Sequence, residues 1–454
     1  MARILLVGNG PLPQCDPESL GFPQLRCSQF LTALQKEHDV GLILLQDADA
    51  GLPEDGHCCA VAPGSAGWLD RAQVFREEFG PDIVVGGGPY DAARLASFLA
   101  GDCPLWIDIP GDPFAEAQAK AVHAGEFGHT REMLGAYAEA LRRADAFSVV
   151  SEAQRHALQG QLGLLGRLER APLDAEWLHV LPVGFEFGAL EPQRPTAREK
   201  GSLVVALCGG YNTWTDGETL LRGLLAAMER APGLQVVSTG GAIEGHHSST
   251  YTAFKSQALA SDFSDRFTFH GWVAHSALPG LLRDADVGLC LDRAGVEPEL
   301  GSRTRVLFYL HQGLSVVATC RTELCSALVQ EGLIYGIADQ SPEELAGILV
   351  DLCEQSASIR GVSEAQGFLE ERFLPSRVFE PFLEWVAAPV HVPSGVDPSA
   401  EMAQELAELR AELAEVYASP TWRVSGAAER VIKGGSGRLA GVFRNLGSEQ
   451  KSEN

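Results

Sequence analysis

Two stretches of this chain hold the residue types that bind phosphate groups. The first is the loop Gly209-Gly-Tyr-Asn-Thr-Trp-Thr-Asp216, which follows the apolar run Leu203–Leu207 and leads into a predicted helix. Backbone N–H groups of such a loop can hold a diphosphate against the start of a helix. A plain turn between strand and helix is the alternative. We predict that four residues of this loop contact an anionic ligand: Gly209, Gly210, Asn212 and Thr213.

The second stretch is Glu297–Arg305, just before another predicted helix. Guanidinium groups at a helix start form an anion site through both charge and dipole, so Arg303 and Arg305 are predicted to clamp a diphosphate. Surface arginines in a salt-bridge network are the alternative. The same site is expected to include the hydroxyl residues beside them, Ser302 and Thr304, and a glycine pair that ends a strand on the same rim, Gly240 and Gly241.

Two carboxylates are candidates for the catalytic centre. Asp108 follows an apolar strand and precedes Pro110 and Gly111, so its side chain is predicted to reach the rim of a cleft. Asp112 is the second candidate, with a helix cap or a turn as its alternative role. The catalytic centre is therefore predicted to lie between 108–112 on one side and 240–299 on the other.

Several enzyme classes are excluded by spacing. The loop after the first strand reads Gly8-Asn-Gly-Pro-Leu-Pro13, which is not the glycine pattern of a dinucleotide dehydrogenase. The chain also has no phosphate-loop lysine motif, no G-x-S-x-G elbow and no H-E-x-x-H pair. His246 and His247 have no partner at metal-ligand spacing and indicate a solvated loop.

The elements that must position these residues form two similar halves. Each half begins with an apolar strand that runs into a Gly-rich loop, and apolar runs then alternate with helical patterns. This predicts an α/β chain with two Rossmann-like doubly wound domains facing across a cleft, plus a helical C-terminal tail. The predicted bounds are 1–190 for the first domain, 191–202 for a linker, 203–388 for the second domain, 389–400 for a second linker and 401–454 for the tail.

The tail differs in kind from the two halves. Its apolar residues lie alternately four and three positions apart, which is typical of a short helix that pairs with another helix or packs against another part of the protein: Met402, Leu406, Leu409, Leu413 and Val416. A basic segment follows, with five cationic side chains against one glutamate between 420 and 446. Residues 401–446 are therefore predicted to contact a membrane surface or to self-associate, with a frayed terminus as the alternative.

Composition limits the partners. The 454 residues carry 35 Lys+Arg against 60 Asp+Glu, and a net charge of -25 argues against nucleic-acid binding. No signal peptide is recognised at the N-terminus, and no apolar run is long enough to span a membrane. A cytoplasmic protein is expected, with the inner face of the membrane as a further possibility.

The motifs together resemble the GT-B glycosyltransferases, in particular the large retaining family 4 (group 1), over about residues 1–388. The resemblance is clearest in Arg266-Phe-Thr-Phe-His-Gly-Trp-Val273, in 278–289 and in 301–319. It implies that His270 and Trp272 lie along the nucleotide base, and that 301–319 holds the ribose and diphosphate.

The resemblance implies a metal-independent hexosyltransferase without a cofactor, which moves a sugar from a nucleotide-sugar substrate to a glycan or lipid-linked acceptor, as in cell-surface polysaccharide assembly. A retaining mechanism is expected. The alternative is a catalytically silent protein of this fold that serves as a binding or scaffold subunit. An epimerase of the same fold fits less well, because the tail indicates work near a membrane-bound acceptor.

The chain departs from the family pattern at the donor site. A family glutamate that grips the ribose aligns with Phe308, and an earlier one aligns with Leu300. The family's Arg and Lys after the first strand of the second domain are also missing, since that loop holds Asn212 and Asp216. We expect Arg303 and Arg305 to supply the lost charge, and Glu299, the third catalytic candidate, to approach the sugar or ribose.

Overall fold

A computed structural model gives the structure of the chain. It describes residues 1–16, 21–47, 51–53, 57–125, 127–169, 171, 176–185, 200–243, 248–338, 340–354, 362–392, 406–413 and 415. The chain forms two compact units, Met1–Gly395 and Val396–Asn454.

The first half is a parallel sheet with helices on both faces. Within the described residues its seven strands are β1 Arg3–Asn9, β2 Asp39–Leu45, β3 His57–Val61, β4 Ile83–Gly86, β5 Leu105–Asp108, β6 Ala146–Val149 and β7 Leu178–Val180. Their order in the sheet is β3-β2-β1-β4-β5-β6-β7. Its helices are α1 Phe22–Leu34, α2 Trp68–Phe79, α3 Asp91–Ala100, α4 Pro113–Ala124, α5 His129–Arg143 and α6 Glu152–Leu164.

The second half repeats this architecture. Its six strands among the described residues are β8 Ser202–Leu207, β9 Gly233–Thr239, β10 Phe267–Gly271, β11 Val287–Cys290, β12 Ser315–Thr319 and β13 Tyr335–Ile337, in the order β10-β9-β8-β11-β12-β13. Its helices are α7 Gly217–Arg230, α8 Ser249–Ala260, α9 Leu278–Leu282, α10 Val296–Leu300, α11 Thr304–His311, α12 Glu323–Gln330 and α13 Pro342–Glu354.

Both sheets reverse their strand order beside their first strand. Chain order runs outward from β1 in one direction and from β4 in the other, and β8 and β11 repeat the arrangement. Ligands of doubly wound sheets bind at this point, outside the carboxyl ends of the strands. The central strands are buried on both faces, as the continuous apolar runs indicate. The predicted fold class of two doubly wound domains is confirmed.

The end of the second half differs from the prediction. The pattern over 368–386 indicates one helix, but the structure has three: α14 Val362–Phe373, α15 Pro375–Val378 and α16 Glu380–Ala387. Pro375 and Pro381 each lie in the first turn of a new helix, where proline removes no intrahelical hydrogen bond. The single helix breaks at these prolines because a proline in its interior would clash with the preceding turn.

The last of these helices return to the first domain. Phe379 and Phe382 each lie edge-on to Phe30 of α1, with ring centroids 4.9 Å apart. Trp385 lies 5.4 Å from Trp106 of β5. These aromatic residues lie within the predicted bounds of the second domain, 203–388. They nevertheless complete the core of the first sheet rather than that of the second.

A buried ion pair holds the first domain together. Arg26 of α1 donates to both carboxylate oxygens of Asp108, at 2.9 and 2.8 Å, and both side chains are fully buried. Arg26 also donates to the carbonyls of Leu181 and Pro182, at 2.9 and 3.0 Å. One guanidinium thus connects a helix, the end of β5 and the segment after β7.

The second compact unit is described over a short length. Residues 406–413 are helical, and Leu406, Leu409 and Leu413 are each about half exposed. The predicted apolar stripe is helical there, while Met402, Val416 and the basic segment 420–446 lie outside the described residues. None of the described helices is long and apolar enough to cross a membrane.

Replacing Arg26 tests how much this ion pair contributes to the free energy of unfolding. Arg26→Met leaves the Asp108 carboxylate buried without its counter-charge, which typically costs about 3–5 kcal/mol in the free energy of unfolding. Arg3→Met is the control, because Arg3 pairs with Asp39 at 3.5 Å near the surface and such pairs contribute less than about 1 kcal/mol. Urea unfolding measures both. Equal losses in the two variants would contradict the assigned role of Arg26.

Candidate functional site

A cavity of about 320 Å³ opens at the carboxyl ends of β8 and β9. Gly209 and Gly240 form one wall, and Trp272, His275 and Leu278 form another. Three of the predicted site residues, Gly209, Gly240 and Trp272, thus meet at one place, which is where a doubly wound domain binds its ligand. The other residues predicted after these strands do not line the cavity: Gly210, Asn212, Thr213, Gly241 and His270.

Two glycines bring the loops of the cavity together. Gly209 and Gly240 have φ of 90° and 84°, a region that side chains with a Cβ rarely adopt. A Cβ on Gly240 would lie 2.2 Å from the carbonyl oxygen of Gly209. The Gly240 N–H donates to the carbonyl of Gly271 at 2.7 Å, so the loops after β8, β9 and β10 touch through their backbones. Gly241 is buried beside them, close to Tyr251.

The loop after Gly210 contains two buried polar atoms without a hydrogen-bond partner among the described residues. Asn212 Oδ1 and Thr213 Oγ1 are both buried, and neither has a hydrogen-bond partner among the described residues. Buried polar atoms are nearly always paired, so two unpaired atoms in one loop are unusual, although neither residue lines the cavity. Asp216 instead caps α7, where its carboxylate accepts from the Thr219 N–H at 3.1 Å.

Arg305 places a positive charge at this rim. Its Nη2 donates to the carbonyl of Gly210 at 2.5 Å, and a Cβ on Gly209 would lie 3.7 Å from the same nitrogen. It forms no ion pair with any residue in the described part of the chain. No carboxylate of the described residues forms an ion pair with this guanidinium, although Asp292 acts on it electrostatically and raises its pKa.

The contacts of Arg303 differ from those predicted for a side chain that binds a diphosphate. Its Nε donates to Asp292 at 2.7 Å, and its Nη1 and Nη2 donate to the two oxygens of Glu297 at 3.2 and 2.7 Å. Its remaining bond goes to the carbonyl of Ser302 at 3.0 Å. Because two buried carboxylates already match its charge, Arg303 is a structural ion-pair centre. Thr304 begins α11.

The two aspartates predicted to be catalytic have structural partners instead. Asp108 is the buried partner of Arg26, and its Oδ1 also accepts from Ser148 Oγ at 2.6 Å. Asp112 caps α4, where it accepts from two backbone N–H groups at 3.0 and 2.7 Å, and it accepts from Gln161 at 2.7 Å. The expectation that Asp108 reaches the cleft rim is wrong, because an ion pair holds its carboxylate in the core.

Three other predicted residues lie at the surface. Glu299 is exposed and pairs with Arg321 at 3.4 Å. His270 is exposed on β10, and the cavity wall is formed instead by Trp272, whose side chain is 58% exposed. The Trp272 indole N–H donates to the carbonyl of Ala242 at 2.8 Å, which fixes the ring at the mouth of the cavity.

Phe308 occupies the position where the resemblance places a ribose-binding glutamate. Its side chain is buried in the core of the second domain, and its ring lies 6.1 Å from the ring of His275 on the cavity wall. This side of the cavity therefore has an aromatic residue behind it rather than a carboxylate.

One polar cluster of the first domain was not predicted from the sequence. Tyr90 has a φ of 52°, its N–H donates to Tyr137 Oη at 2.8 Å, and its hydroxyl donates to Glu116. A strained non-glycine residue is typical of a functional site. The turn Gly86-Gly-Gly-Pro89 just before it was a signal in the sequence, whereas nothing in the sequence singles out Glu116.

Comparison with solved structures identifies the fold. HepE of Anabaena, solved with UDP and glucose, aligns over 86% of this chain and 100% of its own with a TM-score of 0.61 and 19% identity. Sucrose-phosphate synthase of Thermosynechococcus elongatus covers 85% and 98% with a TM-score of 0.61 and 14% identity. The lipopolysaccharide outer core galactosyltransferase WaaB, in its apo form, covers 86% and 100% with a TM-score of 0.54 and 13% identity.

These likenesses establish that the chain has the two-domain GT-B fold. HepE was also solved in complex with UDP-glucose. No protein-family model matches the chain, and no curated protein matches it by sequence.

Two glycine substitutions test the close approach of the loops at the cavity. Gly240→Ala should lower stability clearly more than Gly271→Ala, as measured by thermal unfolding. Both residues have positive φ, for which a Cβ costs roughly 1–2 kcal/mol. Only at Gly240 would the Cβ meet backbone, and forced overpacking adds about 1–3 kcal/mol. Equal losses would show that the loops have room to separate.

Proposed function

We propose that this GT-B chain transfers a hexosyl unit from a nucleotide sugar to a glycan or lipid-linked acceptor. The main support is the cavity at β8 and β9, together with the Arg305 guanidinium, which contacts the glycine loop that lines it and has no ion-pair partner among the described residues. The solved structures of HepE with UDP and UDP-glucose, which share this fold, also support a nucleotide-sugar donor.

The nucleoside diphosphate would occupy the cavity with its phosphates at Gly209, Gly210 and Arg305. Arg305 offers N–H donors and positive charge there, and Asn212 and Thr213 offer buried polar atoms without partners. Trp272 provides a flat apolar surface at the mouth, which suits the nucleotide base.

The transfer itself would depend on positioning and on charge. Negative charge develops on the diphosphate as the bond to the sugar breaks, and a fixed guanidinium in a partly enclosed site stabilises that charge. Holding donor and acceptor together supplies much of the remaining rate enhancement. This proposal assigns no catalytic role to Asp108 or Asp112, whose oxygens are bound within the first domain. A retaining outcome is proposed from the family resemblance alone.

A second candidate is a silent subunit that binds partners without transferring sugar. The observation that favours it is Phe308, which puts a buried ring where the family resemblance places a ribose ligand. The ion pairs of Arg303 favour it as well, because they remove one of two predicted diphosphate ligands. Binding of a nucleoside diphosphate without turnover of any nucleotide sugar would support this reading.

Arg305→Ala tests the donor site. Removal of a charge-assisted hydrogen bond typically costs about 1.5–3 kcal/mol, so affinity for UDP, GDP or dTDP should fall about tenfold or more. Calorimetric titration of the wild-type protein first selects the best of these nucleotides. Arg222→Ala is the control, since Arg222 is exposed on α7. Unchanged affinity in Arg305→Ala, with the fold intact, would contradict the site.

The tail suggests where the reaction takes place. We propose that residues 401–446 bind an anionic membrane surface, because the leucine stripe is followed by a segment, 420–446, with five cationic side chains against one glutamate. Each basic residue near such a surface contributes about 1 kcal/mol.

Cosedimentation with anionic vesicles tests this proposal. The full-length protein should pellet with the vesicles at low salt and be released at high salt, while a version that ends at Pro398 should stay in the supernatant. Equal behaviour of the two forms would leave self-association as the role of the tail.

A further inference from the structure

A polar contact joins the two domains at a point outside the residues that line the donor cavity. Arg293 follows the carboxyl end of β11, beside the point where the strand order of the second sheet reverses. Its Nη1 lies 3.3 Å from Nδ1 of His123, which belongs to α4 of the first domain. Ser249, the first residue of α8, contacts Nε2 of the same imidazole. Three polar side chains from two domains thus meet in the cleft.

The direction of these hydrogen bonds follows from the chemistry of arginine. A guanidinium has five N–H donors and no acceptor, so Nδ1 of His123 must be the unprotonated nitrogen that accepts from Arg293. The proton of the neutral imidazole is then on Nε2, which donates to the hydroxyl oxygen of Ser249. A neutral ring nitrogen is therefore the acceptor for the positively charged side chain of Arg293.

Most of the N–H donors of Arg293 have no protein acceptor. Within the described residues, the bond to His123 is the only hydrogen bond of this side chain, and no carboxylate forms an ion pair with it. The structural arginines Arg26 and Arg303 differ, because carboxylates match the charge of each. A half-buried guanidinium with one neutral partner is suited to a phosphate, since two parallel N–H groups match two phosphate oxygens.

The backbone connects Arg293 to the loop between β8 and α7. The Arg293 N–H donates to the carbonyl of Trp214 at 2.7 Å, and the neighbouring Asp292 forms a β-bridge with Thr215. Thr213 of the same loop is 6% exposed, and its hydroxyl has no hydrogen-bond partner among the described residues. Buried hydroxyls are nearly always paired, so this group is available to a polar ligand near Arg293.

We propose that Arg293 binds a phosphate group in the cleft, and that His123 serves as its acceptor only while the phosphate is absent. A phosphate oxygen is a stronger acceptor for a guanidinium than a neutral imidazole is, because both partners then carry charge. The inference rests on the proposed function for the source of the phosphate, which is either the donor diphosphate or a phosphate on the acceptor. Both sources present the same oxygens to the same arginine.

Two substitutions that break the same hydrogen bond should then have different effects. Arg293→Gln removes the group that binds phosphate, so the affinity should fall about tenfold or more. His123→Ala removes only a competing acceptor, so the affinity should be unchanged or higher. If the contact served only to hold the domains together, the two variants would behave alike.

Calorimetric titration with UDP, GDP or dTDP, whichever the wild-type protein binds best, tests the donor as the source. Arg293→Gln should then bind that diphosphate about tenfold or more weakly, while His123→Ala should not. Arg222→Gln is the matched control, because Arg222 is exposed on α7, and it should bind like the wild type. Circular dichroism verifies that each variant is folded.

Inorganic phosphate tests the acceptor as the source, with the same nucleotide present at saturation so that the donor cavity is filled. Compared with sodium chloride at the same ionic strength, phosphate should raise the Tm of the wild-type protein and of His123→Ala. It should not raise the Tm of Arg293→Gln. The basic segment 420–446 is present in all three proteins, so the difference between them reports on Arg293.

A loss confined to Arg293→Gln in either measurement supports the site and identifies the source of the phosphate. No loss in either one, or equal losses in Arg293→Gln and His123→Ala, would overturn it. If the wild-type protein binds no nucleotide, the proposed function fails separately. The phosphate measurement without nucleotide, with Arg305→Ala added to every protein so that the donor cavity does not contribute, then decides whether Arg293 binds phosphate.

Discussion

The burial of one positive charge, that of Arg303, determines the shape of the site. A buried guanidinium is stable only when carboxylates and carbonyls take up its N–H groups, and here Asp292 and Glu297 do so. Asp292 follows β11 and Glu297 belongs to α10, so this one side chain fixes the segment between β11 and α11. The same segment carries the helix that contacts the first domain and leads directly to Arg305.

The different roles of Arg303 and Arg305 follow from this constraint. Arg303 points into a carboxylate pair and stabilises the fold, whereas Arg305 donates to the Gly210 carbonyl and keeps its charge for the cavity rim. One additional arginine on the other side of the cleft, Arg26, has a similar structural role with Asp108. Arg26 and Arg303, both close to the carboxyl ends of strands, thus stabilise the fold through buried ion pairs.

The strands and the fold class could be predicted from the sequence because they depend on local patterns. Continuous apolar runs mark the central strands, and β8 Ser202–Leu207 agrees to within one residue with the apolar run Leu203–Leu207. The glycine loops could also be placed, since their position after a strand fixes which edge of the sheet they reach. Gly209 and Gly240 therefore line one cavity, as expected from their positions in the chain, whereas Trp272 was expected near them only from the family resemblance.

The roles of charged side chains could not be predicted in the same way. An arginine before a helix has the same local sequence whether its partner is a phosphate or a carboxylate eleven residues away, as for Arg303 and Asp292. Asp108 likewise ends an apolar strand whether it faces the cleft or a buried Arg26 from a distant helix. The return of Phe379 and Phe382 to the first domain depends on packing between segments far apart in sequence, which no local pattern contains.

A crystal structure of the full-length protein with its preferred nucleotide would show whether a nucleoside diphosphate binds at the glycine loops beside Arg305, as we propose. We expect phosphate oxygens within hydrogen-bond distance of the Arg305 guanidinium and of the Gly209–Gly210 backbone, with the ion pairs of Arg303 intact. A nucleotide bound elsewhere, or an Arg303 released from Asp292 and Glu297 to hold the phosphates, would contradict it.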